Sequence, residues 1–295
     1  MGSDQDPFLP QRTFAGLTPP YSDPEQARVA ILPVPYEATT EWRGGTRHGP
    51  LAIIDASQYL ELYDLESDRE PYTVGIQTLP ELEPVMSGPR DMVERVYQAS
   101  RSVIAQGKFL AVLGGEHSIS LGAVQAYKET FPGLSVLQLD AHADLRDEYL
   151  GTRYGQACVM RRVFELCPIV QAGIRSLSRE EKQFIAENAL TPVYMADLEP
   201  GHNAADRILP LLSEKVYLTI DVDVLDPSVM PAVGTPEPGG MGWQQLLDIV
   251  RPVAQHRQIV GMDLVEFCPA EGPGFCAYLL AKLLYKLIGQ AVPGS

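Results

Sequence analysis

Short runs of apolar residues alternate along this chain with longer stretches in which apolar side chains recur every three or four positions. The short runs predict strands at Val29–Val34, Tyr72–Gln77, Phe109–Leu113, Ser135–Leu139, Ile169–Ile174, Pro192–Met195, Val216–Ile220 and Ile259–Leu264. Helical patterns lie between many of them, over Met92–Gln106, Ile119–Thr130, Ala157–Leu166, Arg179–Ala189, Ala204–Leu212, Trp243–His256 and Ala277–Gln290. Runs such as Ala30-Ile31-Leu32 and Val216-Tyr217-Leu218 are apolar throughout, as suits a parallel sheet covered on both faces. Strand and helix in alternation imply βαβ units, hence the α/β class. No fixed-period repeat and no linker divides the chain, so residues 27–295 read as a single domain with about eight strands. Pro7, Pro10, Pro19, Pro20 and Pro24 interrupt residues 1–26, which read as an irregular N-terminal arm on the surface or on a neighbouring subunit.

Composition narrows the function classes. Lys and Arg total 23 against 38 Asp and Glu, a formal charge of −15. That balance argues against nucleic acid or an anionic membrane as the main partner. It suits solubility, and it is compatible with a cationic small molecule or bound metal cations. No apolar run reaches the roughly 18 residues of a membrane span. The first residues lack the basic and apolar regions of a secretory signal, and Cys158, Cys167, Cys268 and Cys276 lack CxxC spacing. The expectation is a cytoplasmic protein with reduced thiols.

Ligands of such sheets bind beyond the carboxyl ends of the strands, and three strand ends carry chemistry. The first runs into Gly114-Gly115-Glu116-His117-Ser118, where two glycines allow a sharp turn that delivers His117. Taken alone, this segment also reads as a helix N-cap at Ser118 with an incidental histidine. The second runs into Asp140-Ala141-His142-Ala143-Asp144, where extended residues at i, i+2 and i+4 would share one side. The third runs into Asp221-Val222-Asp223, with both carboxylates again on one face. Carboxylates gathered at buried strand ends are costly unless a cation neutralises them. His117, Asp140, His142, Asp144, Asp221 and Asp223 supply four carboxylates and two imidazoles, more negative charge than one divalent ion balances. Two metal ions are indicated, and an oxygen-rich set without thiolate fits Mn2+ better than a structural Zn2+. Paired metals roughly 3.5–4 Å apart generate hydroxide near neutral pH, which points to hydrolysis rather than redox chemistry.

These motifs, with Arg43-Gly-Gly-Thr-Arg-His-Gly-Pro, Asp221-Val-Asp-Val-Leu-Asp-Pro-Ser-Val-Met-Pro-Ala-Val-Gly-Thr-Pro-Glu-Pro-Gly-Gly and Met262-Asp-Leu-Val-Glu-Phe-Cys-Pro, resemble the ureohydrolase family of arginases and agmatinases. The resemblance covers roughly residue 27 to the C-terminus; Gly173-Ile-Arg-Ser and Met160-Arg-Arg look closest to its bacterial agmatinase branch. It implies a three-layer α/β/α fold with an eight-stranded, mostly parallel sheet, a binuclear manganese centre and a homo-oligomer, trimer or hexamer. By position, His117 and Asp144 would hold one ion, His142 and Asp223 the other, and Asp140 and Asp221 would bridge both. A metal-bridging hydroxide would attack the guanidinium carbon, Asp144 would relay a proton to the leaving amine, and Glu266 would grip the guanidinium. Agmatine or an N-substituted agmatine is the expected substrate, giving urea and putrescine or the corresponding polyamine.

One departure stands out. Relatives commonly have Ser-His-Ala where this chain has Gly155-Gln156-Ala157, and their histidine is thought to orient substrate or move protons. Gln156 donates and accepts hydrogen bonds but does not titrate, so either the proton takes another route or the substrate differs. Arg153, in a loop expected over the pocket, would suit a substrate tail bearing a carboxylate. No acid follows Gly173-Ile-Arg-Ser-Leu-Ser until Glu180, which weighs against arginase itself. The competing readings are a ureohydrolase for guanidinobutyrate, arginine or a small alkylguanidine, and a non-catalytic metal-containing partner subunit. A deacetylase of similar layered fold would need one Zn2+ and lack the paired acidic clusters. His48 reads as structural, His202 and His256 as solvated, Cys268 as packing, Trp42 and Trp243 as packing or rim residues, and the charged run 61–70 as a solvated surface segment.

Overall fold

Parallel strands that are apolar on both faces require cover on both sides, and the computed structural model, which describes residues 12–198 and 204–294, supplies it. Eight strands form one sheet: β1 (Val29–Val34), β2 (Ile76–Thr78), β3 (Phe109–Gly114), β4 (Ser135–Leu139), β5 (Ile169–Ile174), β6 (Val193–Tyr194), β7 (Lys215–Asp221) and β8 (Gln258–Val265). Their order is β2-β1-β3-β8-β7-β4-β5-β6, and every neighbouring pair is parallel. The edge strands have three and two residues, which limits exposed pairing groups.

The helices are α1 (Gly49–Ser57), α2 (Pro89–Ile104), α3 (Ser120–Thr130), α4 (Val159–Phe164), α5 (Arg179–Glu187), α6 (Ala204–Ile208), α7 (Trp243–His256) and α8 (Phe275–Ala291). Side-chain alternation sorts them into two outer layers. Val29, Ile31 and Leu137 pack with Ile53 of α1, Ile208 of α6, Leu246 of α7 and Leu280 of α8. Ala30, Leu32 and Val136 face the other way, onto Val96 of α2, Val124 of α3, Met160 of α4 and Phe184 of α5. The result is the expected three-layer α/β/α fold.

Several boundaries differ from the sequence reading, each for a local reason. Residues Pro71–Val74 form a 3-10 turn, and Gly75, at φ +76°, breaks the run so that β2 begins at Ile76. The pattern over Ala204–Leu212 ends as a helix at Ile208 and continues as a 3-10 turn, because Pro210 has no N–H to extend the ladder. The pattern from Ala157 begins with a 3-10 turn, Gln156–Cys158, before α4. Helix α1 was not expected at all. It opens with Pro50 in its first turn and is too short for its apolar residues to show a period.

Residues Phe14 to Tyr21 of the N-terminal segment lie on their own chain. Phe14 is fully buried, its N–H donates to the Thr78 hydroxyl (2.8 Å), and the Tyr21 carbonyl accepts from Ile76 N (2.7 Å). Residues 1–11 lie outside the described residues. The charged run 61–70 is not wholly solvated either. Asp64 is buried against Lys286 of α8 at 2.5 Å and also accepts from Ser67. A buried pair of this kind is destabilising to break from one side, because the remaining charge has no partner.

Candidate metal centre

The sheet order makes β3, β8, β7 and β4 consecutive, so the loops leaving their carboxyl ends meet. They come from residues 114, 265, 221 and 139, distant in sequence. His117 follows β3, Glu266 follows β8, Asp221 ends β7 with Asp223 just beyond it, and Asp140, His142 and Asp144 follow β4.

Local geometry brings each side chain in by a different device. Neither Gly114 nor Gly115 has a positive φ. They are required by close approach instead: a Cβ on Gly115 would lie 2.0 Å from the Tyr36 carbonyl oxygen. Ser118 caps nothing; it sits inside the 3-10 turn His117–Ile119, and its hydroxyl donates to buried Glu116 (2.5 Å). Glu116 also accepts from the N–H groups of Ala38 and Thr39, which ties the loop after β1 to the site. The strand-like alternation expected after β4 does not run to its end, because Asp144 turns to φ +55°. Asp221 and Asp223 share a face through a 3-10 turn rather than an extended strand, with Asp223 N–H donating to Asp221 Oδ1 (2.9 Å). Glu266 is at φ +67°. Left-handed backbone is strained for a carboxylate residue, and such strain clusters at functional sites.

Two overlapping groups of donor atoms are close enough to hold a metal ion: His117, Asp140 and Asp221, and Asp140, His142 and Asp223. Asp140 belongs to both. His117 Nδ1 lies 3.2 Å from Asp140, 3.2 Å from Asp144 and 3.6 Å from Asp221. His142 Nδ1 lies 2.9 Å from Asp223 and 3.8 Å from Asp140. His117 Nδ1 is buried without a hydrogen-bond partner, an orphaned donor atom facing carboxylates.

The protonation of the protein alone tells the same story. Burial, with Asp223 and Asp144 adding to it, pushes the Asp140 carboxyl up to about 7. Burial and the charges of Asp223 and Asp140 drive Asp221 well above the usual carboxylate range. Burial acts to lower His142, but the carboxylates of Asp223, Asp140 and Asp144 outweigh it and raise the imidazole to about 11. The cluster is short of positive charge, and divalent cations would supply it in place of protons. The donor set therefore fits a metal centre.

Behind the donors lies a set of polar residues that sequence reasoning missed. His117 Nε2 contacts the Thr219 hydroxyl (2.9 Å), which donates to Asp263 Oδ1 (2.6 Å), while Tyr217 donates to Asp263 Oδ2 (2.8 Å). Since the Thr219 hydrogen is committed to Asp263, its oxygen accepts from Nε2–H, which leaves Nδ1 as the free lone pair. Gln138 donates to Asp140 Oδ2 (2.6 Å) and accepts from Gln171 (2.6 Å). A polar residue inside an apolar strand was the available signal for each. Thr219→Val is expected to weaken metal affinity about 10- to 100-fold with the fold intact, as removal of such a supporting contact does elsewhere; metal titration followed by circular dichroism checks it.

A cleft of about 360 Å³ opens at these donors, lined by His117, His142, Asp144, Gln156, Asp221 and Glu266 and by Glu41, Arg146, Glu181, Thr235 and Glu237. Glu266 Oε1 accepts from His117 N–H (2.5 Å), and its other oxygen has no protein partner among the described residues. Burial and the charge of Glu116 raise its carboxyl well above the usual range. Gln156 lines the cleft, and its Oε1 is buried without a partner. Arg153 does not line it: its guanidinium is half-exposed and held by Asp147 (2.8 Å) and Glu165 (3.7 Å). The expected tail contact from Arg153 is therefore corrected; carboxylates outside the cleft outcompete it. His202 lies outside the described residues. His256 is exposed, and Trp42 is 66% exposed beneath the Arg43 guanidinium. Among the described residues, no helix is long and apolar enough to cross a membrane.

The chain is similar to known proteins in sequence and in fold. The sequence model of the Arginase family matches residues 27–289. The chain is 40% identical over 272 residues to a protein of Synechocystis sp. named N(1)-aminopropylagmatine ureohydrolase, covering 89% of each chain. It is 37% identical over 272 residues to the protein of that name from Thermus thermophilus, covering 90% of each. Among solved structures, the agmatine ureohydrolase of Thermoplasma volcanium superposes with a TM-score of 0.87 at 30% identity, over 96% of this chain and 95% of that one.

Proposed function

Since the chain belongs to the arginase family, we propose that it is a hydrolase of C–N bonds in amidines that converts an agmatine-type guanidine to urea and an amine, with agmatine or its N-aminopropyl derivative as substrate. The observation that carries this reading is the meeting of His117, Asp140, His142, Asp144, Asp221 and Asp223, four of which line one cleft with Glu266.

His117, Asp144, Asp140 and Asp221 would hold one ion, and His142 and Asp223, sharing Asp140 and Asp221, the second; the oxygen-rich set supports Mn2+. When bound, such a pair acidifies water enough to provide a nucleophile near neutral pH. Everything else falls to the chain. The Glu266 carboxylate receives guanidinium N–H groups and fixes the carbon above the centre, which contributes positioning as well as charge. Gln156 presents a neutral acceptor that costs no deprotonation. Asp144, a carboxyl whose burial raises its affinity for a proton, takes the proton released as water adds and returns it to the departing amine nitrogen. The C–N bond to that nitrogen breaks, and the remaining proton of the added hydroxyl passes to the freed amine, leaving urea and the ammonium of the product.

Ser176, Leu177 and Ser178, the segment that follows Gly173-Ile-Arg, line the cleft with no acid among them, which supports a substrate other than arginine. We extend the reading to a cytoplasmic homo-oligomer, a trimer or hexamer. The four buried, unpaired cysteines support a reducing compartment, and the exposed Tyr59, Tyr63 and Leu65 support contact between copies.

The test is urea release from a panel of guanidines after chelation and after return of Mn2+. Agmatine and N-aminopropylagmatine are expected to be cleaved only with metal, and guanidinobutyrate and arginine far more slowly. No urea from any guanidine, or a preference for guanidinobutyrate, overturns the reading. Activity of the purified chain alone rejects a non-catalytic partner.

A further inference from the structure

The loop between β7 and α7 carries Pro236-Glu237-Pro238 to the rim of the cleft, and this tip is held from both sides. Arg175 Nη2 donates to the Glu237 carbonyl (2.7 Å) and to the carbonyl of Asp223 (2.7 Å), so one guanidinium ties the tip to a candidate metal ligand. On the far side, the Asp226 carboxylate accepts from Gly239 N–H (2.9 Å) and Gly240 N–H (3.0 Å). The flanking prolines fix two further φ angles. All of this orders the backbone, while the Glu237 carboxylate takes no hydrogen bond from protein among the described residues. Its one ionisable neighbour there is His142 Nε2, at 3.9 Å.

A carboxylate carried on so firmly held a loop, open to the cleft and with only His142 Nε2 near it at 3.9 Å, is placed to meet a cation that the protein does not supply. The other charged groups of the outer cleft do not fill that role. Glu181 accepts from Leu145 N–H and Ser178 N–H, Glu41 faces the Tyr149 hydroxyl at 3.3 Å, and the Arg146 guanidinium lies over the Tyr149 ring. Glu266 and the metal donors, deeper in, are assigned to the guanidinium and the ions.

We infer that Glu237 is a specificity-determining residue, whose carboxylate receives the second cation of the substrate, the ammonium on the tail beyond the guanidinium. This rests on the agmatine-type reading above. The guanidinium and the first tail ammonium of such a substrate meet two separate carboxylates, Glu266 within and Glu237 at the rim. A tail ending in a carboxylate meets repulsion at the same place.

The experiment compares kcat/KM for agmatine with that for butylguanidine, which has the same four-carbon chain but no terminal ammonium, in the metal-loaded enzyme and in Glu237→Gln. Glutamine keeps an acceptor toward His142 Nε2–H and removes the charge alone. The agmatine-to-butylguanidine ratio is expected to fall about tenfold, through a higher KM for agmatine, at unchanged metal content. Glu237→Lys is expected to lower it further and to raise guanidinobutyrate relative to agmatine. A ratio within twofold of the parent, or an equal loss on both substrates, overturns the assignment and leaves Glu237 acting only through His142. If agmatine is cleaved and the ratio does not move, this inference alone fails; if no guanidine releases urea, the function reading fails with it.

Discussion

Asp140→Ala is expected to end urea release, lowering kcat/KM by at least about 1000-fold with loss of bound metal. Asp140 is the one residue common to both donor groups, so its removal takes a ligand from each. It also strands what supports it: Gln138 Nε2 loses an acceptor at 2.6 Å, and His142 N–H loses another at 2.6 Å. Buried donors without acceptors are costly. Yet the variant also removes the carboxyl that burial, with repulsion from Asp223 and Asp144 adding to it, pushes up to about 7, so folding should survive. Metal analysis, urea release and thermal unfolding together check this. A folded variant that keeps two ions and activity within tenfold of the parent would sink the proposed centre.

Glu266→Gln is expected to cost about 1000-fold in kcat/KM, the scale for removing the charge from one side of a buried, hydrogen-bonded ion pair. The substitution is conservative in shape: an amide oxygen still accepts from His117 N–H, and the backbone still donates from Glu266 N to the Gly115 carbonyl (2.8 Å). The loss therefore reports the guanidinium contact rather than a collapsed loop. Metal content should stay at the parent level, which separates this variant from Asp140→Ala. A loss below tenfold would mean that the guanidinium is held elsewhere. The two variants would divide the proposed site into a part for ions and a part for substrate.

The first of these parts was the more legible in the sequence. D-x-H-x-D and D-x-D after apolar strands concentrate carboxylates where burial is costly, and that conflict is visible without coordinates. Glu266 stood out only through resemblance, because a single glutamate after a strand carries no such conflict. Arg153 misled for a related reason. A loop arginine near the site looked available, and only the fold shows Asp147 and Glu165 beside it. The glycines of Gly114-Gly115 stand out in the sequence as a sharp turn, but the constraint on them is close approach: Val265 and Ile119 crowd Gly114, and the Tyr36 carbonyl crowds Gly115.

What the sequence by itself determined is the local and the periodic. Apolar runs with a strand's reach and amphipathic stretches between them define the α/β class and the count of strands, because burial on both faces of a parallel sheet leaves a direct mark on composition. The acidic motifs likewise announce a cation requirement wherever they come to lie. The tertiary structure alone decided which strands are neighbours. Placing β8 between β3 and β7 sets His117, Glu266, Asp221 and Asp140 around one point, although the chain separates them by up to 149 residues. It alone fixed the positive φ at Asp144 and Glu266, and the double pinning of Glu237. Those features arise from contacts between distant segments, and no local pattern encodes a contact whose partner is a hundred residues away.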